Sequence, residues 1–126
     1  MKKTTLLGLG VLLLAACGSE DMSFSGESKN WRATIEVSET FNEQQTRDFE
    51  LHFKGEDQTS IGEFQYSVDS NVVGFGENGI SLNEKGTVQN MTKSNETNSK
   101  VTGRTDFEVI VEWNGNTEQF TLKNDE

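Results

Sequence analysis

The stretch that decides the fold runs from Trp31 to Ser38, WRATIEVS, in which apolar and polar residues alternate strictly. Successive side chains of a β-strand point to opposite faces, so this order places the apolar residues on one face and the polar residues on the other. A strand with one dry and one wet face is typical of antiparallel sheets. The segment therefore predicts a half-buried antiparallel strand.

Four further segments show the same period of two, and turn-forming residues separate them. Their apolar members are Phe49, Leu51 and Phe53; Phe64, Tyr66 and Val68; Phe107, Val109, Val111 and Trp113; and Phe120 and Leu122. The turn signals are Gly55 to Asp57, Asp69 to Asn71, Asn78-Gly79, Asn83 to Gly86, Gly103 and Asn114-Gly115. This pattern predicts an all-β fold: a small antiparallel β-sandwich over residues 31–126, with an immunoglobulin-like arrangement as the expected form.

The last two segments allow the strand register to be predicted. Inward residues carry odd numbers in the first strand and even numbers in the second, so paired numbers must add to an odd value. A two-residue Asn114-Gly115 turn pairs Val109 with Phe120, whereas a four-residue loop pairs Val111 with Phe120. Because Asn-Gly favours type I′ turns, we expect the two-residue turn.

Three places depart from the alternating pattern. Glu39 to Asp48 contains one apolar residue, Phe41, and is expected to form at most one short helical turn. Asn90 to Lys100 is nearly all polar, which predicts an exposed loop or a weak edge strand. Ile110 interrupts the polar face of its strand, so we expect it to lie beneath a loop or second layer, with a contact patch as the alternative.

The first residues of the chain differ from the rest in composition. Lys2 and Lys3 precede eleven residues of apolar character, Leu6 to Ala16, and the chain turns polar at Cys17. Eleven residues rise only about 16 Å as a helix, about half of a bilayer core, so they are too few to span a membrane. A basic start before a short apolar run is typical of an export signal peptide, which we expect to be residues 1–16.

The end of that run, Leu14-Ala15-Ala16-Cys17, resembles the lipobox of bacterial lipoproteins at all four positions. The resemblance implies that a dedicated signal peptidase recognises Leu14, Ala15 and Ala16 and cuts before Cys17. It also implies that the Cys17 thiol carries a diacylglyceryl group, whose two acyl chains, such as palmitate, suffice for stable anchoring. An ordinary secretory signal is the alternative, but it would place Leu14 where a small residue is preferred.

Residues 17–30 are rich in Ser, Gly and charge, which predicts a lipidated flexible tether. Fully extended, such a tether would hold the domain up to ~45 Å from the lipid. Phe24 is expected to be a tether residue, with docking on the domain as the alternative. Cys17 is the sole cysteine of the chain, so an intramolecular disulfide is impossible.

Net charge limits the classes of partner. Lys2 and Lys3 leave with residues 1–16, which contain no acid, so the net charge changes from −10 to −12 in the mature chain. Such a surface repels phosphate backbones and argues against nucleic acid. It also disfavours direct contact with an anionic bilayer, which makes the lipid on Cys17 the expected link to the membrane. A cationic protein, peptide or metal ion is attracted, and the same charge also serves solubility.

No catalytic, cofactor or metal motif is convincing. Gly74 to Gly79 matches G-x-G-x-x-G, but a dinucleotide site needs a βαβ unit, and Asn78-Gly79 indicates a hairpin. His52 is the only histidine and is expected to be a surface residue, because no second His or thiolate accompanies it. Trp31 and Trp113 are expected to pack in the core or at its rim. The outward acids that would form a cation-attracting stripe are Asp106, Glu108, Glu112 and Glu118, yet no loop has EF-hand spacing.

The mature chain, with Glu27 to Trp31 at its start and Trp113 to Gly115 near its end, resembles small lipoproteins of Gram-positive, bacillus-like bacteria, which brings no assigned activity with it. The resemblance implies an anchor in the outer leaflet of the cell membrane; in a Gram-negative host the location would be periplasmic or outer-membrane. We expect a non-catalytic binding or structural module of the cell envelope. The alternatives are an inhibitor or immunity lipoprotein that neutralises a cationic toxin or cell-wall hydrolase, and a small-ligand carrier or enzyme.

Overall fold

The fold is an antiparallel sheet of eight strands that curls into a half-barrel, as seen in a computed structural model that describes residues 20–39, 44–94 and 100–126. The strands are β1 (Glu20–Glu27), β2 (Trp31–Glu39), β3 (Gln45–Phe53), β4 (Phe64–Asp69), β5 (Gly74–Ile80), β6 (Thr87–Ser94), β7 (Phe107–Trp113) and β8 (Asn116–Asn124). A short 3-10 helix, Gln58–Ser60, precedes β4. The described residues include no helix long and apolar enough to cross a membrane. The all-β prediction is confirmed.

Alternation along each strand builds the core. In β2 the four apolar residues from Trp31 to Val37 are each at most 2% exposed, while Arg32 and Glu36 face solvent. Curling brings the β1-β2-β3-β6 half of the sheet against the β5-β4-β7-β8 half, and the inward faces meet between them. The apolar sets predicted from the sequence are therefore confirmed as the core, with Phe53 partly buried at its edge.

The strand order is β5-β4-β7-β8-β1-β2-β3-β6, which is a correction to the immunoglobulin-like arrangement. An immunoglobulin constant-type domain divides its second and third strands between two separate sheets. Here β2 and β3 pair with each other along nine residues each, and β1 joins β8, so that the two halves form one continuous sheet. The sandwich is therefore open on one side only, between β5 and β6.

Strand β1 corrects the expected tether. The prediction that residues 17–30 are flexible is wrong for Glu20–Glu27, which pair with β2 along their whole length. Phe24 is 0% exposed and meets Phe107 edge to face, with ring centroids 5.1 Å apart. Gly26 allows the close approach to β8, since a Cβ there would lie 2.1 Å from the carbonyl oxygen of Thr121. β1 contains few apolar residues because its outward face contacts solvent. Its composition therefore resembles that of a linker.

The predicted β7–β8 hairpin is confirmed. Val109 pairs with Phe120 and Phe107 with Leu122, which is the register of the two-residue turn. Asn114 and Gly115 have φ angles of 48° and 77°, as a type I′ turn requires.

The glycine-rich segment 74–79 is an edge strand, which agrees with the rejection of a dinucleotide site. The prediction of a hairpin turn at Asn78-Gly79 is wrong, however, because the turn between β4 and β5 lies at residues 70–73. Gly79 has a φ of 70° at a register shift between β4 and β5, where Phe64 pairs with Ile80 and Gln65 with Asn78. The pair therefore forms a β-bulge, a feature that blunts an exposed edge.

Two weakly patterned segments form strand edges and ends. Residues 45–48 belong to β3 rather than to a helical turn, while residues 40–43 lie outside the described residues. Residues 90–94 complete the edge strand β6, as one of the two expected outcomes, and residues 95–99 lie outside the described part.

The sandwich has two ends. We call the end at which β1 starts the proximal end and the opposite end the distal end. The proximal end holds Glu20, Glu39, the start of β3, the end of β6 and the segment 100–106. The distal end holds the turns at residues 28–30, 54–63, 81–86 and 114–115. Eight steps of β2, from Trp31 to Glu39, separate the two ends by about 26 Å.

Candidate functional site

An open groove of about 460 Å³ lies at the distal end, and we call it the distal groove. Its lining residues are Glu63, Phe64, Gln65, Asn78, Gly79, Glu112, Trp113, Asn114, Gly115, Asn116 and Thr117. Two carboxylates and four side-chain amides stand there with no lysine or arginine among them. This chemistry suits a ligand that offers N–H or O–H donors, either cationic or rich in hydroxyls.

Local backbone geometry shapes the distal groove. The bulge at Gly79 and the type I′ turn at Gly115 both place left-handed residues on its wall, with open space where their side chains would be. Asn114 donates a hydrogen bond from Nδ2 to the Ser60 carbonyl at 3.0 Å, which fixes the turn against the 3-10 helix. Gln65 donates to a Glu112 carboxylate oxygen at 2.6 Å across the groove floor.

Glu118 ties the distal turns together. Its carboxylate accepts hydrogen bonds from the Ser28 hydroxyl, from the Asn30 backbone N–H at 3.0 Å and from Asn30 Nδ2 at 2.6 Å. Burial acts to raise the pKa of Glu118, but the hydrogen bonds from Ser28 and Asn30 outweigh it and the pKa is lowered. Lys54 holds the same turn from the other side, since Nζ donates to the Ser28 carbonyl at 2.9 Å. The carboxylate therefore fixes the β1–β2 turn onto β8.

Replacing Glu118 with alanine is expected to lower the free energy of unfolding by about 1–2 kcal/mol at neutral pH, since it removes hydrogen bonds to a charged acceptor. A carboxyl whose folded pKa is lowered stabilises the fold above its unfolded pKa, and this contribution is lost as the pH falls through the folded value. The difference between wild type and Glu118→Ala should therefore shrink in acid, as measured by urea unfolding at several pH values. Glu63→Ala, at an exposed position of the same end, is the control and should change stability by less than about 0.5 kcal/mol.

A second polar cluster bridges the open side of the sandwich. The Tyr66 hydroxyl donates to a Glu77 carboxylate oxygen at 3.0 Å and accepts a hydrogen bond from Asn90 Nδ2 at 3.0 Å. These contacts join β4, β5 and β6, and the Phe49 ring stacks on Tyr66 with centroids 5.2 Å apart. Burial, together with the neighbouring Glu77, raises the pKa of Tyr66 to about 12.

Tyr66 is the only tyrosine, so its titration can be followed directly by the ultraviolet absorbance of phenolate. We expect an apparent pKa of about 12 in the folded protein and about 10 in urea. A raised folded pKa stabilises the fold below pH about 10, and that stabilisation, about 3 kcal/mol for a shift of about two units, is lost as the pH rises from about 10 through about 12. Equal pKa values of Tyr66 in the folded and in the unfolded protein would contradict the buried cluster. In Tyr66→Phe the free energy of unfolding should depend less on pH in this range.

Buried polar residues lie in the proximal half of the core. Gln45, 1% exposed, accepts from the Val101 N–H at 2.8 Å and donates to the Val101 carbonyl at 3.1 Å. Arg47, 3% exposed, donates from Nε to Gln45 Oε1 at 3.0 Å, and burial lowers its pKa. Sequence reasoning missed both residues, although their odd numbers are in phase with Phe49 and mark them as inward. Gln45 thus joins the segment 100–106 to β3.

The structure locates His52, Trp31 and Trp113, which were singled out from the sequence, but does not describe the predicted lipidation site. Leu14, Ala15, Ala16 and Cys17 lie outside the described residues. His52 is half-buried on the outward face of β3, opposite Arg32 and Thr87. Trp31 and Trp113 are confirmed as core residues, with ring centroids 5.4 Å apart. Trp31 Nε1 is a buried N–H that finds no hydrogen-bond partner within the part of the chain that the structure describes.

The expected acidic stripe is only partly realised. Asp106, Glu108 and Glu112 face outward, but Glu118 faces inward in phase with Phe120, which corrects the prediction. Gln119 and Thr121 donate to Glu108 and lower its pKa, while Lys123 pairs with Asp106 at 3.1 Å. Within residues 20–39, 44–94 and 100–126, no group of three or more histidine, cysteine or acidic residues stands close enough to hold a metal ion.

Ile110 lies half-buried on the outward face of the sheet. The expected covering layer does not occur among the described residues. Ile110 instead lines a groove of about 400 Å³ with Ser67 and Gly76, which is the contact-patch alternative. This groove adjoins the distal groove through Gln65, Asn78 and Glu112.

Comparisons of the chain with protein-family models, with curated proteins and with solved structures find no match.

Proposed function

We propose that the chain is a bacterial lipoprotein, anchored by a diacylglyceryl group on Cys17, which displays the β-sandwich on the outer face of the cell membrane as a non-catalytic binding module. The observation that carries this proposal is the sequence Leu14-Ala15-Ala16-Cys17 at the end of a short apolar run that follows Lys2 and Lys3. Cys17 is the only residue of the chain with a thiol to carry the lipid. The chain beyond it has the alternating pattern of a water-facing β domain rather than of a further apolar segment.

The binding role is supported by the distal groove. Its Asn, Gln and Glu side chains surround the edge of Trp113, and part of their hydrogen-bonding capacity faces solvent. Specific sites generally combine an apolar surface with a small number of well-placed polar groups. The distal groove offers this combination to a partner outside the membrane, and the interior between the two halves is filled by aromatic side chains instead.

Fatty-acid labelling of cells tests the anchoring. Wild type and Cys17→Ser are expressed in a bacterium that processes lipoproteins, with Ser19→Ala as the matched control. Wild type and the control should incorporate a labelled fatty acid and partition with the membrane fraction, whereas Cys17→Ser should carry no label. Equal labelling of Cys17→Ser, or an unlabelled wild type, contradicts the proposal.

A second candidate is an inhibitor or immunity lipoprotein that neutralises a cationic toxin or wall hydrolase. It is favoured by the outward face of the β5-β4-β7-β8 half, where Asp69 stands directly opposite Glu108 and Asp106 precedes Glu108 on the same face, while Glu112 lies on that face at the other end of β7. Adjacent like charges cost stability unless a cation offsets them, so a basic partner would gain from this surface.

Salt-dependent binding separates this candidate from the general binding role. The candidate requires the mature chain to bind a basic wall hydrolase, such as a lysozyme, at low salt with an affinity that falls steeply as salt is added. Asp69→Asn with Glu108→Gln should weaken that binding, while Glu56→Gln, at an exposed position outside both the acidic face and the distal groove, should leave it unchanged. No detectable binding at low salt would remove the candidate and leave the anchoring proposal intact.

A further inference from the structure

The start of β1 places the sandwich very close to the proposed lipid. Only three residue steps separate Cys17 from Glu20, and three steps span at most about 11 Å. The rest of the chain toward β2 is not available as a spacer, because Glu20–Glu27 is paired with β2 throughout and Phe24 is fully buried. Lengthening the link would require β1 to leave the sheet.

The direction of β1 decides which end of the sandwich lies near the lipid. Glu20 pairs with Glu39, so the anchor emerges at the proximal end, beside the start of β3 and the end of β6. The headgroup layer on each side of a bilayer is about 5–7 Å thick. A link of at most about 11 Å therefore leaves only a few ångströms between the headgroups and the domain.

We propose that the lipid holds the domain end-on, with the proximal end against the phospholipid headgroups and the distal groove about 26 Å farther out. The inference rests on the proposed lipidation of Cys17. The surface that meets the membrane includes the end of β2, the start of β3 and the end of β6, which lie beside Glu20, together with the segment 100–106 that Glu39 and Gln45 hold there. A partner outside the membrane then meets the distal groove first.

The short link, and not charge, determines this orientation. The proximal end carries exposed Lys93 and Arg104, but also exposed Asp125 and Glu126, so its charges are mixed. Attraction to anionic headgroups would be screened by salt, whereas a covalent limit on distance is unaffected by it. We therefore expect the same orientation on neutral and on anionic vesicles.

Energy transfer to labelled lipids tests the orientation. The mature protein, lipidated on Cys17, is reconstituted into phosphatidylcholine vesicles, with or without phosphatidylglycerol. The vesicles contain a trace of acceptor lipid. Donor dye is attached to Lys93→Cys at the proximal end, in the cross-strand row of Asp21, or to Glu56→Cys at the distal end; both positions are exposed. Because the Cys17 sulfur is occupied by lipid, each introduced cysteine is the sole free thiol.

We expect transfer from Lys93→Cys to exceed that from Glu56→Cys by at least about two-fold, given the separation of the two ends. Equal or reversed transfer in protein that floats with the vesicles overturns the orientation but leaves the lipidation standing. Protein that does not float with vesicles overturns the lipidation and the orientation together.

A variant with twelve Gly and Ser residues inserted between Ser19 and Glu20 gives the matched control. Such a linker spans roughly 20 Å on average and should make transfer from the two positions nearly equal. If the variant with the insertion keeps the full difference in energy transfer between the two positions, the surface of the domain orients it on the membrane. The short link then does not determine the orientation.

Discussion

Replacing Phe24 with alanine is expected to lower the free energy of unfolding by about 3–5 kcal/mol, the usual cost of removing a fully buried aromatic side chain. Phe24 is 0% exposed and packs on Phe107 across the line where the two halves of the sheet join. Its loss opens a cavity under β1 that the surrounding strands cannot close without breaking their pairing. Urea unfolding followed by the fluorescence of Trp31 and Trp113, both core residues, measures the change.

Met91→Ala is the control for Phe24→Ala. Met91 is 56% exposed on the outward face of β6, so its removal deletes a large apolar side chain without opening the core. The control should change stability by less than about 0.5 kcal/mol. If Phe24→Ala were as mild as Met91→Ala, residues 20–27 would be the flexible tether that their composition indicates, and the short link to Cys17 would not exist.

Replacing Gln45 with leucine is the other change with a large expected effect, about 3–5 kcal/mol of lost stability. Leucine fills a similar volume but leaves the Val101 N–H, the Val101 carbonyl and Arg47 Nε without the partner that Gln45 provides. A buried polar group that loses its partner costs about 1–3 kcal/mol, and three groups are affected here. Urea unfolding again measures the effect.

Hydrogen exchange adds a local measure of the same contact. In Gln45→Leu the Val101 amide should exchange much faster than in wild type, because its N–H donates to Gln45 Oε1 at 2.8 Å and this acceptor is removed. Thr46→Ala, at the neighbouring outward position, should lose less than about 1 kcal/mol and leave that amide protected. Unchanged protection of Val101 in Gln45→Leu would show that Gln45 does not hold the segment 100–106.

The alternation of residue types was enough to predict most of the core. Strong period-two segments such as Trp31 to Val37 and Phe107 to Trp113 fix both strand and face, and Asn114-Gly115 fixes the register between the last two strands. The pairing of strands that are distant in the sequence could not be predicted in this way. That β1 inserts between β2 and β8, or that β6 adds beside β3, depends on which edges are left free once the hairpins have formed, and local pattern carries no such information.

Polar residues that face inward were overlooked or, in the case of Glu118, assigned to the outward face. Gln45, Arg47 and Glu118 are each in phase with the apolar residues of their own strand, so the parity that identified Phe49 and Phe120 also marks them. Their partners, Val101 in one case and the turn at residues 28–30 in the other, lie 56 and about 90 residues away in the chain. Sequence can thus show that such a residue points inward, but only the fold shows what satisfies it.

The most direct test of the whole account is mass spectrometry of the mature protein isolated from bacterial membranes. We expect Cys17 as the N-terminal residue, with a diacylglyceryl group on its sulfur and residues 1–16 removed. A mature protein that begins elsewhere, or in which the Cys17 thiol is free, would contradict the anchor and the end-on orientation built on it.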